Sequence, residues 1–466
     1  QEVLDKLDVR TIVFWNSLIT GYAQSGYGQE AMACFRQVRQ EGIFPNVVTL
    51  MSILKACCSL KALNMGKEIH GGIIHEEFLV KDVLIGTVLV DMYAKCGELA
   101  RARGVFDKIQ AVDVVCWNVM IGGCIQNALY EEALNCFERM QISQITPNVV
   151  TFIYALKASG HIGAYEKGKQ LHDMVSREGF LDKHVSVGNA LVDMYMRFGY
   201  ISEAEEIFDG LCVRDVVSWT ALFRHGVIKK KGLYSFEQMK QEGVFPNDVT
   251  FLSIMKDCGT VGTIGLGKRI HMEILGQSFL RDKHTIGSAL IDMYAKCGEP
   301  SMALEVFSEL EVQNVISWTA LIAGYGNVGE DDMAIQLFNK MIEEGIKPDL
   351  VTFTVVLHAC GHSGVLGKGQ MYFDLMSMTY GIFPTAEHHA CMVGLFSRAG
   401  HFDKAVAVIR KMCMPNHLPV WSSLLGACQK WGNVDIGELA FKHMVMIDEK
   451  VAEAYVSMSN IYKGHE

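Results

Sequence analysis

The sequence has 466 residues, half of them hydrophobic and 20% charged, a composition that predicts a folded chain rather than a disordered one. Its formal net charge of −10 argues against a generic polyanion binder, so any nucleic-acid role must rest on a local face. The longest uncharged run, residues 114–130, is too polar and slightly too short to span a membrane.

A recurring segment indicates that the chain is built from repeats. Asp-Met-Tyr-Ala-Lys-Cys-Gly-Glu occurs at residues 91–98 and again at 292–299, and a looser copy occupies residues 193–200. The near-constant spacing of these copies is the signature of a repeat architecture. The same register is kept by five tryptophans: Trp15, Trp117, Trp219, Trp318 and Trp421.

Three shorter repeats of different lengths fill each long period. The first three are residues 12–46, 47–82 and 83–113, of which the third is the shortest. This triplet returns three more times, so that we expect twelve repeats over residues 12–417.

Three stretches depart from the regular triplet. We predict that residues 1–11 are the end of a truncated repeat and that residues 418–466 are a truncated helical extension. The repeat at residues 216–247 is shorter than its counterparts 12–46 and 114–148, and its missing turn is expected near residues 225–231.

Each repeat is predicted to be a pair of helices. In the repeat of residues 114–148 the apolar spacing predicts helices over roughly 117–126 and 131–141. A proline one residue before the repeat end stops the second helix in four repeats, and Gly42, Gly243 and Gly345 suit its C-cap. Because one such hairpin cannot bury its apolar face alone, stacking predicts an all-α protein, an α-solenoid with a concave inner face.

Fourteen cysteines raise the possibility of disulfides, but several of them recur at equivalent repeat positions. Recurrence of this kind favours small buried thiols in a reducing compartment over a disulfide framework. The recurring cysteines are Cys57, Cys258 and Cys360 at one position, and Cys96 and Cys297 at another.

The strict rotation of these three hairpin lengths resembles the plant pentatricopeptide repeat family, and within it the PLS class of P-, L- and S-type repeats. Residues 114–123, 66–70 and 91–97 carry this match. Residues 387–393 resemble the terminal S-type repeat of the class, and residues 420–428 resemble its E-type extension.

The resemblance implies a right-handed superhelix that binds single-stranded RNA in a mitochondrion or chloroplast. It further implies that the protein selects a cytidine for C-to-U editing, with editing-complex proteins and a deaminase in trans or further downstream as possible partners. No cofactor and no membrane partner are expected.

By the same resemblance, each P- and S-type repeat reads one base through its fifth and last residues. In these repeats a small hydroxyl or amide residue is followed by Asn or Asp, whereas the first three L-type repeats have Met51, Ile153 and Leu252 in fifth place. The alternative is that the last residues are turn or capping residues, which leaves the polar fifth residues unexplained. The pairs are Asn16/Asn46, Thr87/Asp113, Asn118/Asn148, Asn189/Asp215, Thr220/Asn247, Ser288/Asn314 and Thr319/Asp349.

Basic residues recur on the face that carries the fifth residues, and we expect them to contact RNA phosphates. The alternative is a solvated helix end where a cation favours the dipole. The residues at position 13 of the S-type repeats are Lys95, Arg197, Lys296 and Arg398, and those at position 9 of the L-type repeats are Lys55, Lys157, Lys256 and His358.

Valines recur at position 2 of several repeats. The resemblance implies that they flank the bases, and ordinary packing is the alternative. They are Val13, Val48, Val115, Val150 and Val217.

Nothing in the sequence predicts catalysis or metal binding. His70, His172 and His271 recur at one repeat position, which favours a structural role, and residues 271–273 match only half of the zinc deaminase motif because no C-x-x-C follows. We therefore expect an RNA-binding protein that is not an enzyme, with a protein-binding helical scaffold as the alternative. The shortened repeat and Ala390 in fifth place depart from the family pattern.

Overall fold

The computed structural model describes residues 11–74, 83–224, 228–276, 284–412 and 417–463, and these residues form helices joined by turns, without a β-strand. No helix within these ranges is long and apolar enough to cross a bilayer. The chain divides into two compact bodies, Gln1–His225 and Gly226–Glu466.

The N-terminal body contains fourteen described helices. They are α1 Ile12–Gln24, α2 Gly28–Gln40, α3 Val47–Leu60, α4 Leu63–Ile74, α5 Val83–Lys95, α6 Leu99–Phe106, α7 Val114–Gln126, α8 Tyr130–Ile142, α9 Val149–Ile162, α10 Tyr165–Arg177, α11 Phe180–Lys183, α12 Val185–Phe198, α13 Ile201–Asp209 and α14 Val216–Phe223.

The C-terminal body contains another fourteen within the described ranges. They are α15 Ile228–Gln241, α16 Asp248–Val261, α17 Ile264–Gly276, α18 His284–Lys296, α19 Pro300–Glu309, α20 Val315–Asn327, α21 Asp331–Glu343, α22 Leu350–Ser363, α23 Leu366–Met378, α24 Ala386–Arg398, α25 Phe402–Lys411, α26 Leu418–Trp431, α27 Val434–Ile447 and α28 Ala452–Lys463.

Hairpins stack in the same way within each body. The first helix of a repeat packs against its own second helix and against the first helix of the next repeat, as α3 does with α1, α4 and α5 and as α20 does with α18, α21 and α22. The apolar face of each hairpin is thus covered by its neighbours, and the predicted all-α solenoid is confirmed.

One aromatic contact recurs between successive repeats and holds them in register. A phenylalanine on the second helix of an S-type repeat meets the tryptophan of the following P-type repeat edge-on. All of these rings are buried. The ring centroids lie 4.7 Å apart in Phe106–Trp117, 4.7 Å in Phe208–Trp219 and 4.6 Å in Phe307–Trp318.

The first residue of a helix can differ from the start that the apolar spacing predicts. Helix α7 begins at Val114, three residues before the predicted start, because the Asp113 side chain caps it there and Val115 in its first turn is exposed. In the shortened repeat, α14 ends at Phe223 and is 8 residues long, whereas the other first helices of P-type repeats have 13. The turn expected near residues 225–231 lies partly outside the described residues, and so does nearly all of residues 1–11.

The predicted glycine C-caps take the left-handed conformation that ends a helix. Gly42, Gly243 and Gly345 have φ angles of 70°, 76° and 78°. The equivalent residue of the second P-type repeat is Gln144, which has a φ of 59°. A residue with a Cβ is strained in this region, so this repeat carries a cost that the other three avoid.

We predict that Gln144→Gly increases the free energy of unfolding by up to about 1 kcal/mol, because it relieves the left-handed strain. The matched reverse change, Gly345→Gln, should decrease it by a similar amount. Urea denaturation of the two variants tests this, and a shift of both midpoints in one direction would contradict it.

Candidate nucleic-acid interface

The last residue of every P- and S-type repeat in the predicted code is the N-cap of the next helix. Its side-chain Oδ1 accepts a hydrogen bond from the backbone N–H three residues later, at 2.8 to 3.1 Å. By contrast His184, which ends an L-type repeat, makes no side-chain cap. The seven capping residues are Asn46, Asp113, Asn148, Asp215, Asn247, Asn314 and Asp349.

Asparagines in fifth place donate to that same capping oxygen. Each Nδ2 reaches the Oδ1 of the last residue of its own repeat, across the width of the hairpin. The fifth and last residues are therefore brought together in these repeats. The three bonds are Asn16 to Asn46 at 3.0 Å, Asn118 to Asn148 at 3.1 Å and Asn189 to Asp215 at 3.1 Å.

A buried third residue joins this arrangement and was not predicted from the sequence. In the repeat that follows each coded pair, the third residue is Ser, Thr or Cys, and it is at most 1% exposed. Thr151 Oγ1, for example, donates to Asn118 Oδ1 at 2.7 Å and to Asn148 Oδ1 at 3.0 Å. The capping-box spacing was the signal that could have revealed this residue type.

Two of the Thr residues in fifth place reach the last residue of their repeat less directly, through the buried third residue. Thr319 donates to Thr352 Oγ1 at 2.7 Å, and Thr352 donates to Asp349 at 2.7 Å. Thr87 contacts Cys116, whose backbone is capped by Asp113, and also donates to Val83 O.

The remaining two hydroxyl residues in fifth place have different surroundings. Ser288 Oγ is buried and has no hydrogen-bond partner among the described residues. Thr220 donates to Val216 O within its own helix, and its predicted partner Asn247 caps α16.

Capping uses one terminal atom of the last residue's side chain, Oδ1, and does not use the other terminal atom. The hydrogen bonds that Asp215 accepts from Asn189 Nδ2, Ser218 N and Ser218 Oγ all use Oδ1, so none of these three occupies Oδ2. Burial raises the pKa of the Asp215 carboxyl, but bonds from Ser218 and Asn189 lower it more, and the net shift is downward. An ionised Asp therefore presents a second acceptor, whereas a capping Asn presents its Nδ2 donor.

Of the four predicted phosphate-contacting cations at position 13 of the S-type repeats, three are ion-paired with an aspartate one helical turn earlier. Burial lowers the pKa of Lys95, but its bond to Asp91 raises it more. The pairs are Lys95–Asp91 at 2.7 Å, Arg197–Asp193 at 2.7 Å and Lys296–Asp292 at 2.6 Å.

Arg398 is the exception among these cations. Gly394 stands where the other S-type repeats have aspartate, and Arg398 Nε donates to Gly394 O at 3.1 Å. The Arg398 guanidinium also lies against Gly361, so close that a Cβ there would be 2.9 Å from Nη2. Arg398 forms no ion pair with any described residue.

The other predicted contact residues lie on the surface. Lys55, Lys157, Lys256 and His358 are all exposed. The position-2 valines are also exposed, which excludes ordinary core packing for them. Their exposed fractions are 69% for Val13, 52% for Val48, 54% for Val115, 43% for Val150 and 56% for Val217.

The recurring histidines are packing residues. Nδ1 of His70, His172 and His271 lies 2.8, 3.0 and 3.0 Å from a tyrosine hydroxyl of the following repeat, and burial lowers the pKa of each. Every cysteine in the described ranges is a free thiol. Within the same ranges no group of His, Cys, Asp or Glu could hold a metal ion.

Family models match more than half of this chain, and all of them describe pentatricopeptide repeats. A PPR repeat family model matches residues 10–59, 112–159 and 313–362, a PPR repeat model matches residues 87–114, 189–216, 288–315 and 390–414, and a pentatricopeptide repeat domain model matches residues 213–261.

Similar proteins occur in Arabidopsis thaliana. Pentatricopeptide repeat-containing protein At2g03380, mitochondrial, is 34% identical over 99% of this chain and 67% of its own length. Pentatricopeptide repeat-containing protein At3g57430, chloroplastic, is 34% identical over 98% of this chain and 53% of its own length. The chain thus spans about half to two-thirds of these relatives.

Solved structures show the same fold. The crystal structure of the pentatricopeptide repeat protein PPR10 in complex with an 18-nt psaJ RNA element matches with a TM-score of 0.63 and 16% identity. The match covers 100% of this chain and 76% of that one.

We predict that Asn148→Ala decreases the local stability of α9 by about 1 kcal/mol, because the Thr151 N–H loses its capping acceptor. Asn148→Asp keeps Oδ1 and should stay within about 0.5 kcal/mol of the parent. Hydrogen exchange at the Thr151 amide measures both effects. Equal loss of protection in the two variants would show that the cap does not hold this helix start.

Proposed function

The chain belongs to the pentatricopeptide repeat family, and we propose that it binds single-stranded RNA in a sequence-specific manner, one base per P- or S-type repeat. The observation that carries this proposal is the shared hydrogen bonding of fifth and last residues on the capping oxygen. PPR10, whose fold this chain shares, was crystallised with RNA, which supports the same class of ligand.

The terminal side-chain atom that capping does not use determines which bases can form a hydrogen bond with the last residue. The Watson–Crick edges of G and U carry a ring N–H, which the second oxygen of Asp accepts. A and C carry a ring nitrogen acceptor, which takes a hydrogen bond from the Nδ2 of Asn. The sequence alone pointed to an amide that uses both of its functions, but the cap occupies the carbonyl and leaves the donor.

The fifth residue supplies the second half of the code. In the family, Thr or Ser in fifth place favours purines and Asn favours pyrimidines. From its N-terminus this chain then reads, 5′ to 3′, C-n-G-C-n-U-A-n-A-G, where n marks L-type repeats. The repeats with Thr354 and Ala390 in fifth place are left unread.

The finer proposal is that this RNA lies beside a cytidine that is edited to uridine in a mitochondrion or chloroplast. The resemblance of residues 387–393 and 420–428 to a terminal S-type repeat and an E-type extension supports editing. The relatives whose names include mitochondrial or chloroplastic support a location in one of these two organelles. The deaminase would act in trans or lie in sequence further downstream.

We predict that Asp215→Asn moves the preference at the sixth base from U towards C by about 1–3 kcal/mol, because a second acceptor is replaced by a donor. Binding titrations with RNAs that differ only at this base measure the shift. The variant keeps its cap, since Asn and Asp cap equally well. Preferences at the other bases should not change.

Two results would contradict this reading. If the variant ranks U and C as the parent does, the pairwise code does not operate at this repeat. If the parent binds C-n-G-C-n-U-A-n-A-G no better than a scrambled RNA, sequence-specific binding itself is wrong, and a protein-binding scaffold becomes the better explanation.

We predict that replacing Lys95, Arg197 and Lys296 together by Ala weakens binding to all RNAs alike. The log–log salt slope should become shallower by at most about 0.7 per cation, because each removed cation also leaves its aspartate with one cationic partner fewer. The matched variant with Asn at the three aspartates should bind every RNA more tightly. An unchanged slope in the alanine variant would rule out phosphate contact.

A further inference from the structure

The polarity of each fifth residue is matched by the buried third residue of the next repeat, which lies outside the base code. Where the fifth residue is polar, the third residue carries a group that can form hydrogen bonds. Where the fifth residue is apolar, as in the first three L-type repeats and the last repeat, the third residue is aliphatic. All of these third residues are at most 1% exposed. The polar ones are Thr49, Cys116, Thr151, Ser218, Thr250, Ser317, Thr352 and His388, and the aliphatic ones are Ile85, Val187, Ile286 and Val420.

After a P-type repeat the third residue is threonine, and it bonds to the fifth residue. Thr151 Oγ1 donates to Asn118 Oδ1 at 2.7 Å, while Asn118 Nδ2 donates to Asn148 Oδ1 at 3.1 Å. Both terminal atoms of the Asn118 amide are therefore engaged, and a rotation that exchanges them would break both bonds. The second N–H of Nδ2 is thereby held in one direction. The same contact joins Thr49 to Asn16 and Thr352 to Thr319.

After an S-type repeat the third residue is serine or cysteine, and both serines leave the fifth residue without this bond. Ser218 Oγ donates to the side chain of its own helix cap at 2.9 Å, and Asn189 Oδ1 is buried without a hydrogen-bond partner among the described residues. Ser317 Oγ donates to the backbone carbonyl of its cap at 2.8 Å, and Ser288 Oγ likewise has no described partner. Serine lacks the methyl group that restricts χ1 of threonine, so its hydroxyl can turn to the cap alone.

Helix capping and burial do not by themselves require threonine at this place. Ser218 and Ser317 complete the capping boxes of their helices just as Thr49 and Thr151 do. Isoleucine or valine fills the same buried place wherever the fifth residue is apolar. Threonine differs from both because it supplies a donor with a restricted direction, and the fifth residue receives it.

We propose that the buried third residue is a positioning residue that determines how strictly a repeat distinguishes bases, although it does not touch RNA. Threonine holds the fifth side chain in one orientation, whereas serine leaves it one hydrogen bond short. P-type repeats followed by threonine therefore separate pyrimidines from purines more strictly than S-type repeats followed by serine. The proposal rests on the proposed function, because it requires that the fifth residue contacts a base.

The test uses the full chain and RNAs that differ only at the fourth base, which the repeat of residues 114–148 reads. Thr151→Val removes the donor and keeps the shape of the side chain, so the preference for C over A should fall by about tenfold. Thr151→Ser keeps the hydroxyl and the capping box but frees the rotation of the hydroxyl, so the fall should be about threefold. The preference for C over U depends on Asn148 and should not change in either variant.

The reciprocal change is Ser218→Thr, which gives Asn189 Oδ1 the donor that it lacks. The preference for U over G at the sixth base should rise by about threefold. The matched control is Ser202→Thr, the same substitution at an exposed position of α13, and it should leave both preferences unchanged.

The outcomes separate the two proposals. Failure of the parent to prefer C-n-G-C-n-U-A-n-A-G over a scrambled RNA would overturn the proposed function. Specific binding with the parental preference for C over A in both Thr151 variants, or for U over G in Ser218→Thr, would overturn the positioning role alone. Equal losses of the preferences for C over A and for C over U would also overturn it, because they would show that Thr151 only supports the fold.

Discussion

The Oδ1 atom of each capping residue carries the constraint on which the fold and the proposed reading both depend. It starts the first helix of the next repeat and, in three repeats, also accepts from the fifth residue. Asn and Asp are among the best N-caps and differ only in the second terminal atom of the side chain. A repeat can therefore exchange a donor for an acceptor at the proposed RNA-binding face without disturbing the helix stack that positions it.

Much of the architecture is accessible from sequence because the repeats are periodic and their partners recur at fixed distances. The segment of residues 91–97 was recognised by its recurrence, and the structure supplies the reasons. Met92 fills the space beside Gly66, where a Cβ would be 2.5 Å from its sulfur. The Tyr93 hydroxyl meets His70 at 2.8 Å. These partners lie on a helix of the preceding repeat, and a pattern along one helix does not reveal them.

The parts that the sequence missed are those where polar contacts override apolar periodicity. Helix α7 starts three residues early because the Asp113 side chain caps it, although Val115 in its first turn is exposed. The Ser or Thr in third place was not predicted as a buried residue, because the sequence shows only that its side chain is polar. The aspartates four residues before Lys95 and Lys296 were visible as a helical ion-pair spacing, but their effect on the predicted phosphate contacts depends on geometry.

That effect bears on how a chain of net charge −10 can bind a polyanion. The more exposed pairs, those of Lys95 and Lys296, are worth at most about 1 kcal/mol, so a phosphate can displace their aspartates at little cost. The displaced carboxylate stays nearby, however. A lysine that is paired with aspartate therefore attracts a distant phosphate less than an unpaired lysine would. The proposed function therefore implies a low generic affinity for RNA along the repeats, with the difference between one RNA and another coming from hydrogen bonds to the base edges.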